Sequence, residues 1–427
     1  MMKTLQKMKS EKLYNSLLIL SIVVVILSGC YNPSKLSYFN ISSAYQEQSK
    51  SFNFKFCAYN SSPNQVNIYY KFNTSGLLFI KHKTKDFFFA KYQIHYELYD
   101  MNEPKTLLDS ATLKYTDSTH FNQPKEITDS FAMFTMKNAN YIVAYQFTDL
   151  NKNYEVNGFL NIDKTNEYSR NNFLLKDEDN IPLIENYVNS EQKFRVNVNQ
   201  KLKEKLYVSC FTHEFPLAGP PYSMIPADNS SIVRDSMFLL ALQDGSTGDI
   251  LLNEPGMYFF QTDTNQKEGL SVFRFYDNFP KVTTAVQMLK PLQYITTKQE
   301  FSDIANSKNL RQSIEKFWLD KSGNPNRAKE MIRLFYNRVQ DANILFTSYK
   351  EGWKTDRGMM YIILGSPERV YRSAENETWY YSEDRNMLSI TLVFTKIPGK
   401  FSDNDYMLER GIEYKDPWYI GVESWRK

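Results

Sequence analysis

From Phe52 onward the chain alternates. Phe52, Phe54 and Phe56 are separated by single residues, and the same period of two returns over residues 67–72, 92–98, 111–115 and 141–147. That period sends successive side chains to opposite faces, as a half-buried strand requires. Turn-forming residues divide the runs: Ser61-Ser62-Pro63-Asn64, Asn102-Glu103-Pro104 and Asn151-Lys152-Asn153. Short alternating strands with turns between them predict an antiparallel β-sandwich over residues 51–163. A polar stretch with an acidic run, Asp177-Glu178-Asp179-Asn180, reads as a linker over 164–190. Strand-like runs resume at 194–198, 206–211, 257–261 and 270–275, so residues 191–285 are expected to form a second β-rich domain, broken by a loop at Gly219-Pro220-Pro221.

The period then changes. Leu310, Ile314, Phe317 and Trp318 share one face of a helix that ends at Ser322-Gly323. Asn324 suits an N-cap and Pro325 the first helical position, and Met331, Phe335, Val339, Ala342 and Phe346 line the helix that follows. Residues 359–364 are apolar throughout and short, which predicts a buried strand. Further strands are expected near 369–371, 378–381 and 388–394. The predicted fold is therefore mixed β and α+β. Two antiparallel β-sandwich-like domains precede a C-terminal α+β module over 290–427, built of two helices and a small antiparallel sheet. Thirty Tyr and thirty Phe fit so much sheet.

Charge excludes one class of partner. Residues 1–29 carry four lysines and one glutamate, the whole of the formal +3, so the remainder is neutral. A neutral body has no electrostatic footprint for nucleic acid, and none is expected to bind.

The first residues read as an address. Lysines precede an apolar run, residues 17–27, and Leu27-Ser28-Gly29-Cys30 follows. These eleven residues would rise ~16 Å as a helix, short of a ~30 Å hydrocarbon core, so residues 1–29 predict a signal peptide. Leu-Ser-Gly-Cys resembles the lipobox of bacterial lipoproteins. The resemblance implies that Cys30 is lipidated and becomes the new N-terminus, with residues 30–50 as a tether. The membrane, reached through that lipid, is then one partner. Cys57 and Cys210 fall in different predicted domains and read as two free buried thiols.

The cluster Gly352-Trp353-Lys354-Thr355-Asp356-Arg357-Gly358, with Tyr361-Ile362-Ile363 and Gly365-Ser366-Pro367 after it, resembles the GWxTD domain of Bacteroidetes lipoproteins. Phe317-Trp318, Arg338-Val339, Ala342-Asn343 and Trp379-Tyr380 also fit, so the resemblance spans about 290–400. It implies an address in the cell envelope rather than a reaction. Surface-exported lipoproteins of that phylum typically carry acids just after the cysteine. Residues 31–35 contain none, which implies an outer-membrane protein facing the periplasm.

Read physically, the motif is a junction. Gly352 is expected to end a helix at positive φ, with Gly358 supplying a second positive φ. Trp353 should bury its indole. Asp356 should accept backbone N–H groups across the turn, and Arg357 should pair with Glu330 or Glu351. Such a corner is structural, or Thr355, Asp356 and Arg357 form a binding or catalytic cluster, docking a partner there.

Chemistry is hard to find. No metalloprotease, P-loop, nucleophile-elbow or dinucleotide motif occurs, and no catalytic residue, metal ligand or cofactor is identified. The expectation is a non-enzymatic structural or adaptor protein with an envelope protein as partner. The alternative is a carbohydrate- or peptidoglycan-directed binder or enzyme using the Trp-rich C-terminal module, with a glycan as ligand. All five tryptophans lie beyond residue 317, and burial of Trp353, Trp379 and Trp418 discriminates the two.

Overall fold

The computed structural model describes residues 39–427 except 47–51, 102, 104–105, 121–122, 137, 200–202, 224–231, 374, 382–388 and 399–400. The signal peptide and Cys30 lie outside the described residues.

The first domain is a sandwich. Strands β1 (Lys55–Ser62), β2 (Gln65–Asn73) and β6 (Glu126–Phe134) form one antiparallel sheet. Strands β3 (Ile80–Lys81), β4 (Phe88–Asp100), β5 (Leu107–Thr119), β7 (Asn140–Asp149) and β8 (Tyr154–Asp163) form the other, with β4 pairing β3, β5 and β7. Alternation does what the sequence implies: Val66, Ile68, Tyr70 and Phe72 of β2 point inward, Tyr70 and Phe72 packing with Tyr92, Ile94 and Phe147 of the facing sheet and Val66 and Ile68 with its Tyr96, Leu98 and Val143.

Residues 164–190 are more ordered than the linker expected of them. They contain β9 (Phe173–Lys176) and β10 (Pro182–Leu183), which join β11 (Arg195–Val198) in a three-stranded antiparallel sheet. The acidic run is the turn between β9 and β10, with Asp177 Oδ1 accepting the N–H groups of Asp179 and Ile181. This sheet packs on a second one, ordered β13 (Ser236–Ala241), β12 (Lys205–Phe211), β14 (Gly256–Gln261) and β15 (Leu270–Arg274). Cys57 and Cys210 are both free, and only Cys210 is buried as expected; Cys57 is half-buried.

The C-terminal module contains helices α1 (Ala285–Leu289), α2 (Lys298–Ala305), α3 (Leu310–Ser322), α4 (Pro325–Phe346), α5 (Asp356–Leu364) and α6 (Lys415–Ser424), more than the two expected. Its antiparallel sheet runs β16 (Arg369–Arg372), β17 (Asn376–Tyr381), β18 (Ile390–Lys396) and β19 (Tyr406–Leu408). The junction of α3 and α4 matches the sequence reading, with Gly323 left-handed at φ 64° and the Asn324 side chain capping α4. Residues 359–364 are not a strand. They belong to α5, whose apolar residues are buried all round because the helix is enclosed by its neighbours. A short run of buried residues cannot separate helix from strand by periodicity, and the N-cap at Thr355 decides it.

Part of the expected tether is docked. Residues 39–46 lie against β16, where Ile41 N–H donates to Val370 O at 2.9 Å. Phe39 contacts Phe159, and Tyr45 is buried beside Phe346 and Trp379. Three apolar side chains, Phe39, Ile41 and Tyr45, hold a segment whose polar neighbours suggest solvent.

Candidate functional site

The motif makes a tight corner between α4 and α5. Residues Gly352–Lys354 form one 3-10 turn, and Thr355 then caps α5, its Oγ1 accepting from Gly358 N at 3.1 Å and donating to Gly352 O at 2.7 Å. The expectation of positive φ at Gly352 and Gly358 is corrected: neither adopts it. Both are needed for close approach. A Cβ on Gly352 would stand 1.8 Å from Ala342 O, and one on Gly358 would stand 1.9 Å from Gly352 O. The turn thus lies directly on the backbone of α4, and the first turn of α5 lies directly on the turn.

Each motif side chain faces inward and has partners. Trp353 is buried, its ring edge-on to Tyr294, while its backbone N–H donates to Asn343 Oδ1 at 3.2 Å and its backbone carbonyl accepts from the Tyr294 hydroxyl at 3.0 Å. Lys354 is buried too, its ammonium 2.9 Å from Glu351 and 3.1 Å from Glu214. Asp356 accepts from Leu408 N at 2.9 Å and from the Arg410 guanidinium. The sequence reading had Asp356 bonding within its own turn; it reaches instead to the strand β19, some fifty residues on.

Arg357 pairs with neither Glu330 nor Glu351. Its guanidinium meets Glu377 at 3.3 Å and Asn404 O at 2.9 Å, and it stacks over the Tyr406 ring at 4.1 Å. Glu377, fully buried on β17, also accepts from Arg372 Nε, from Trp379 Nε1 and from the Tyr45 hydroxyl. Burial alone would raise its pKa. The charges of Arg372 and Arg357 and the indole N–H more than offset this and hold the carboxyl down at about 2. A buried charge is tolerated only with such pairing.

Sequence reasoning missed Glu377, Arg372, Arg410 and Tyr45. One signal existed for Glu377. It shares a strand face with Trp379 and Tyr381, so an acid sat in the apolar register of a buried strand. For Tyr45 and Arg410 no local pattern points to a contact so distant in sequence.

All five indoles are buried, between 0 and 6% exposed. Among the described residues no group of three or more His, Cys, Asp or Glu side chains is placed to hold a metal. His213 bonds Asp235, and Glu214 bonds Lys290 and Lys354.

Helices packed on a four-stranded antiparallel sheet around a glycine-tight, charge-paired corner define an α+β module. Residues 256–427 match the GWxTD domain, so the chain carries a GWxTD domain that begins within the second sandwich, at β14. No curated protein matches the chain. Among solved structures, a calcium-binding mutant of Bacteroides uniformis beta-glucuronidase 2 aligns at 10% identity over 29% of this chain and 14% of that one, with a TM-score of 0.18. The same enzyme covalently bound to cyclophellitol-6-carboxylate aziridine aligns at 12% identity over 31% of this chain and 17% of that one, with a TM-score of 0.17. The chain spans less than a fifth of these enzymes, and a likeness so slight carries no argument about fold or activity.

Proposed function

We propose that this chain is a lipid-anchored envelope protein, held at Cys30 and facing the periplasm, with a structural or adaptor role rather than an enzymatic one. The observation that carries the non-enzymatic part is that the side chains of Lys354, Thr355, Asp356 and Arg357 all spend their polar groups on other parts of this chain, and that the Trp353 indole is buried. A group committed to internal ion pairs and caps is poorly placed to act on a substrate. The alternative of a tryptophan platform for glycans needs an indole face in solvent, and each indole is covered.

The docked segment 39–46 supports an anchor close to the GWxTD domain. Eight residues separate Cys30 from Phe39. Fully extended they reach about 30 Å, so a lipid on Cys30 would keep this domain, rather than the sandwiches alone, near the bilayer. Among the described residues no helix is long and apolar enough to cross a membrane.

Three experiments test the reading. Cys30→Ser is expected to move the protein from the membrane fraction to the soluble fraction of lysed cells, and retention in the membrane would refute lipid anchoring. Protease added to intact cells is expected to leave the protein whole; digestion there would refute the periplasmic orientation. For the adaptor role, crosslinking in native envelopes is compared between wild type and Trp353→Ala, with folding followed by circular dichroism. Loss of partners from a folded variant would make the motif itself a docking surface.

A further inference from the structure

A cavity of about 750 Å³ opens where the two sandwiches and the GWxTD domain meet. Pockets that hold small molecules fall in the range of roughly 300–1,000 Å³ and favour domain junctions. One wall is aromatic. Phe54 and Phe56 lie 4.6 Å apart between ring centroids, Phe56 and Tyr145 lie 4.2 Å apart, and all three rings are only half buried. Phe173 and Leu175 of β9 extend this apolar lining.

The other wall is cationic. Arg170, Arg372 and Lys396 all line the cavity together with Asp403; the other charged lining residues are Asp341, Lys55 and Glu185, the last two paired with each other at 3.3 Å. Arg170 holds Asp403 at 3.0 Å, and Arg372 is bound to Glu377 and to the Tyr45 hydroxyl. Lys396 differs: its ammonium makes no ion pair or hydrogen bond among the described residues. Burial, together with the charges of Arg372, Arg170 and Arg357, lowers its pKa against the pull of Asp403. The Asp403 side chain is 56% accessible. The two walls adjoin. Arg372 is close enough to Tyr145 to act on its hydroxyl, which burial pushes up to about 12, and Arg170 acts likewise on Cys57, the neighbour of Phe56.

An unpaired ammonium crowded by guanidinium groups favours an incoming anion, and half-covered aromatic rings favour an apolar body. We propose that this cavity binds a small amphipathic carboxylate, its head group on Lys396 between Arg170 and Arg372 and its apolar body against Phe54, Phe56 and Tyr145.

The test is calorimetric titration of the full chain with 2-naphthoate and with the neutral 2-naphthalenemethanol. The acid is expected to saturate one site at least about tenfold more tightly than the alcohol, the worth of one charge-assisted bond. Lys396→Met should remove that advantage while leaving the alcohol unchanged, and Lys396→Arg should restore it. Equal binding of acid and alcohol, absence of binding by either, or an acid affinity indifferent to Lys396→Met would overturn the proposal. Should Lys396→Met not fold, wild type alone decides. Cys57 lines the cavity, so its alkylation rate, read by peptide mass spectrometry, should fall when the acid saturates the protein. An unchanged rate would refute occupancy.

Discussion

Tyr45 and Glu377 stand 332 positions apart in sequence and share a 3.0 Å hydrogen bond in the interior of the GWxTD domain. The same hydroxyl accepts from Arg372, and the Tyr45 carbonyl accepts from both Tyr361 and Ser366. The segment ahead of the first sandwich is therefore a structural part of the last domain. It ties the two ends of the chain together across both β domains.

Tyr45→Phe tests how much that tie contributes. The ring contacts with Phe346 and Trp379 would survive, while a buried carboxylate and a guanidinium would each lose one partner. A loss of about 2 kcal/mol in urea unfolding is expected, in the range for bonds to charged groups. A change near zero would mean that the strap contributes packing alone.

The glycines of the motif make a sharper claim. Gly358→Ala puts a methyl group 1.9 Å from Gly352 O, a clash of Cβ with a backbone atom that no rotamer change relieves. The expected cost is at least ~3 kcal/mol, more than helix propensity could return, since Ala gains only ~1 kcal/mol over Gly in a helix. Chemical denaturation measures it. A stabilised Gly358→Ala protein would show that the close approach does not exist.

How far the sequence foretold this corner depends on which force acts. Alternation disclosed the sandwiches because one buried face imposes a period of two, and caps disclosed α3 and α4 because Gly323 and Asn324 carry local chemistry. The helix α5 escaped because burial on all sides erases periodicity. The glycines were recognised as special but for the wrong reason: sequence shows that a Cβ is absent, while the structure shows which atom would have struck it. The partner of Arg357 was sought nearby, at Glu330 or Glu351, whereas β17 brings Glu377 to it from twenty residues away. The cavity was invisible, since Phe56, Arg170 and Lys396 share nothing until three domains assemble.

Glu377 should govern the acid stability of the domain. Its pKa in the folded protein, about 2, lies below the ordinary value near 4.3 of an unfolded chain, so its contribution is fully present above that value and is lost as pH falls toward 2. Glu377→Gln leaves the buried Arg357 and the partly exposed Arg372 without their counter-charge, and a loss of about 3–5 kcal/mol is expected at neutral pH. The gap between variant and wild type should narrow below about pH 4, where wild type begins to lose the same interaction. Unfolding curves that remain parallel down to about pH 2 would contradict the assignment.

Asp405 behaves in the opposite sense. Burial pushes its carboxyl up to about 6, with Asp356 adding to the shift and Lys350 and Arg357 opposing it. Its carboxylate makes no hydrogen bond or ion pair among the described residues, although Arg357 and Lys350 lie near enough to act on it. A carboxyl whose folded pKa exceeds its unfolded value of about 3.9 binds its proton more tightly when folded. The protonated form therefore adds stability below the unfolded value, and that stability is lost as pH rises through about 6. Asp405→Asn keeps the shape of the protonated acid and removes the charge. The variant is expected to melt at a higher temperature than wild type at about pH 8 and to match it at about pH 4. A lower melting temperature at the higher pH would mean that the charge on Asp405 is wanted, by Lys350 and Arg357 above all.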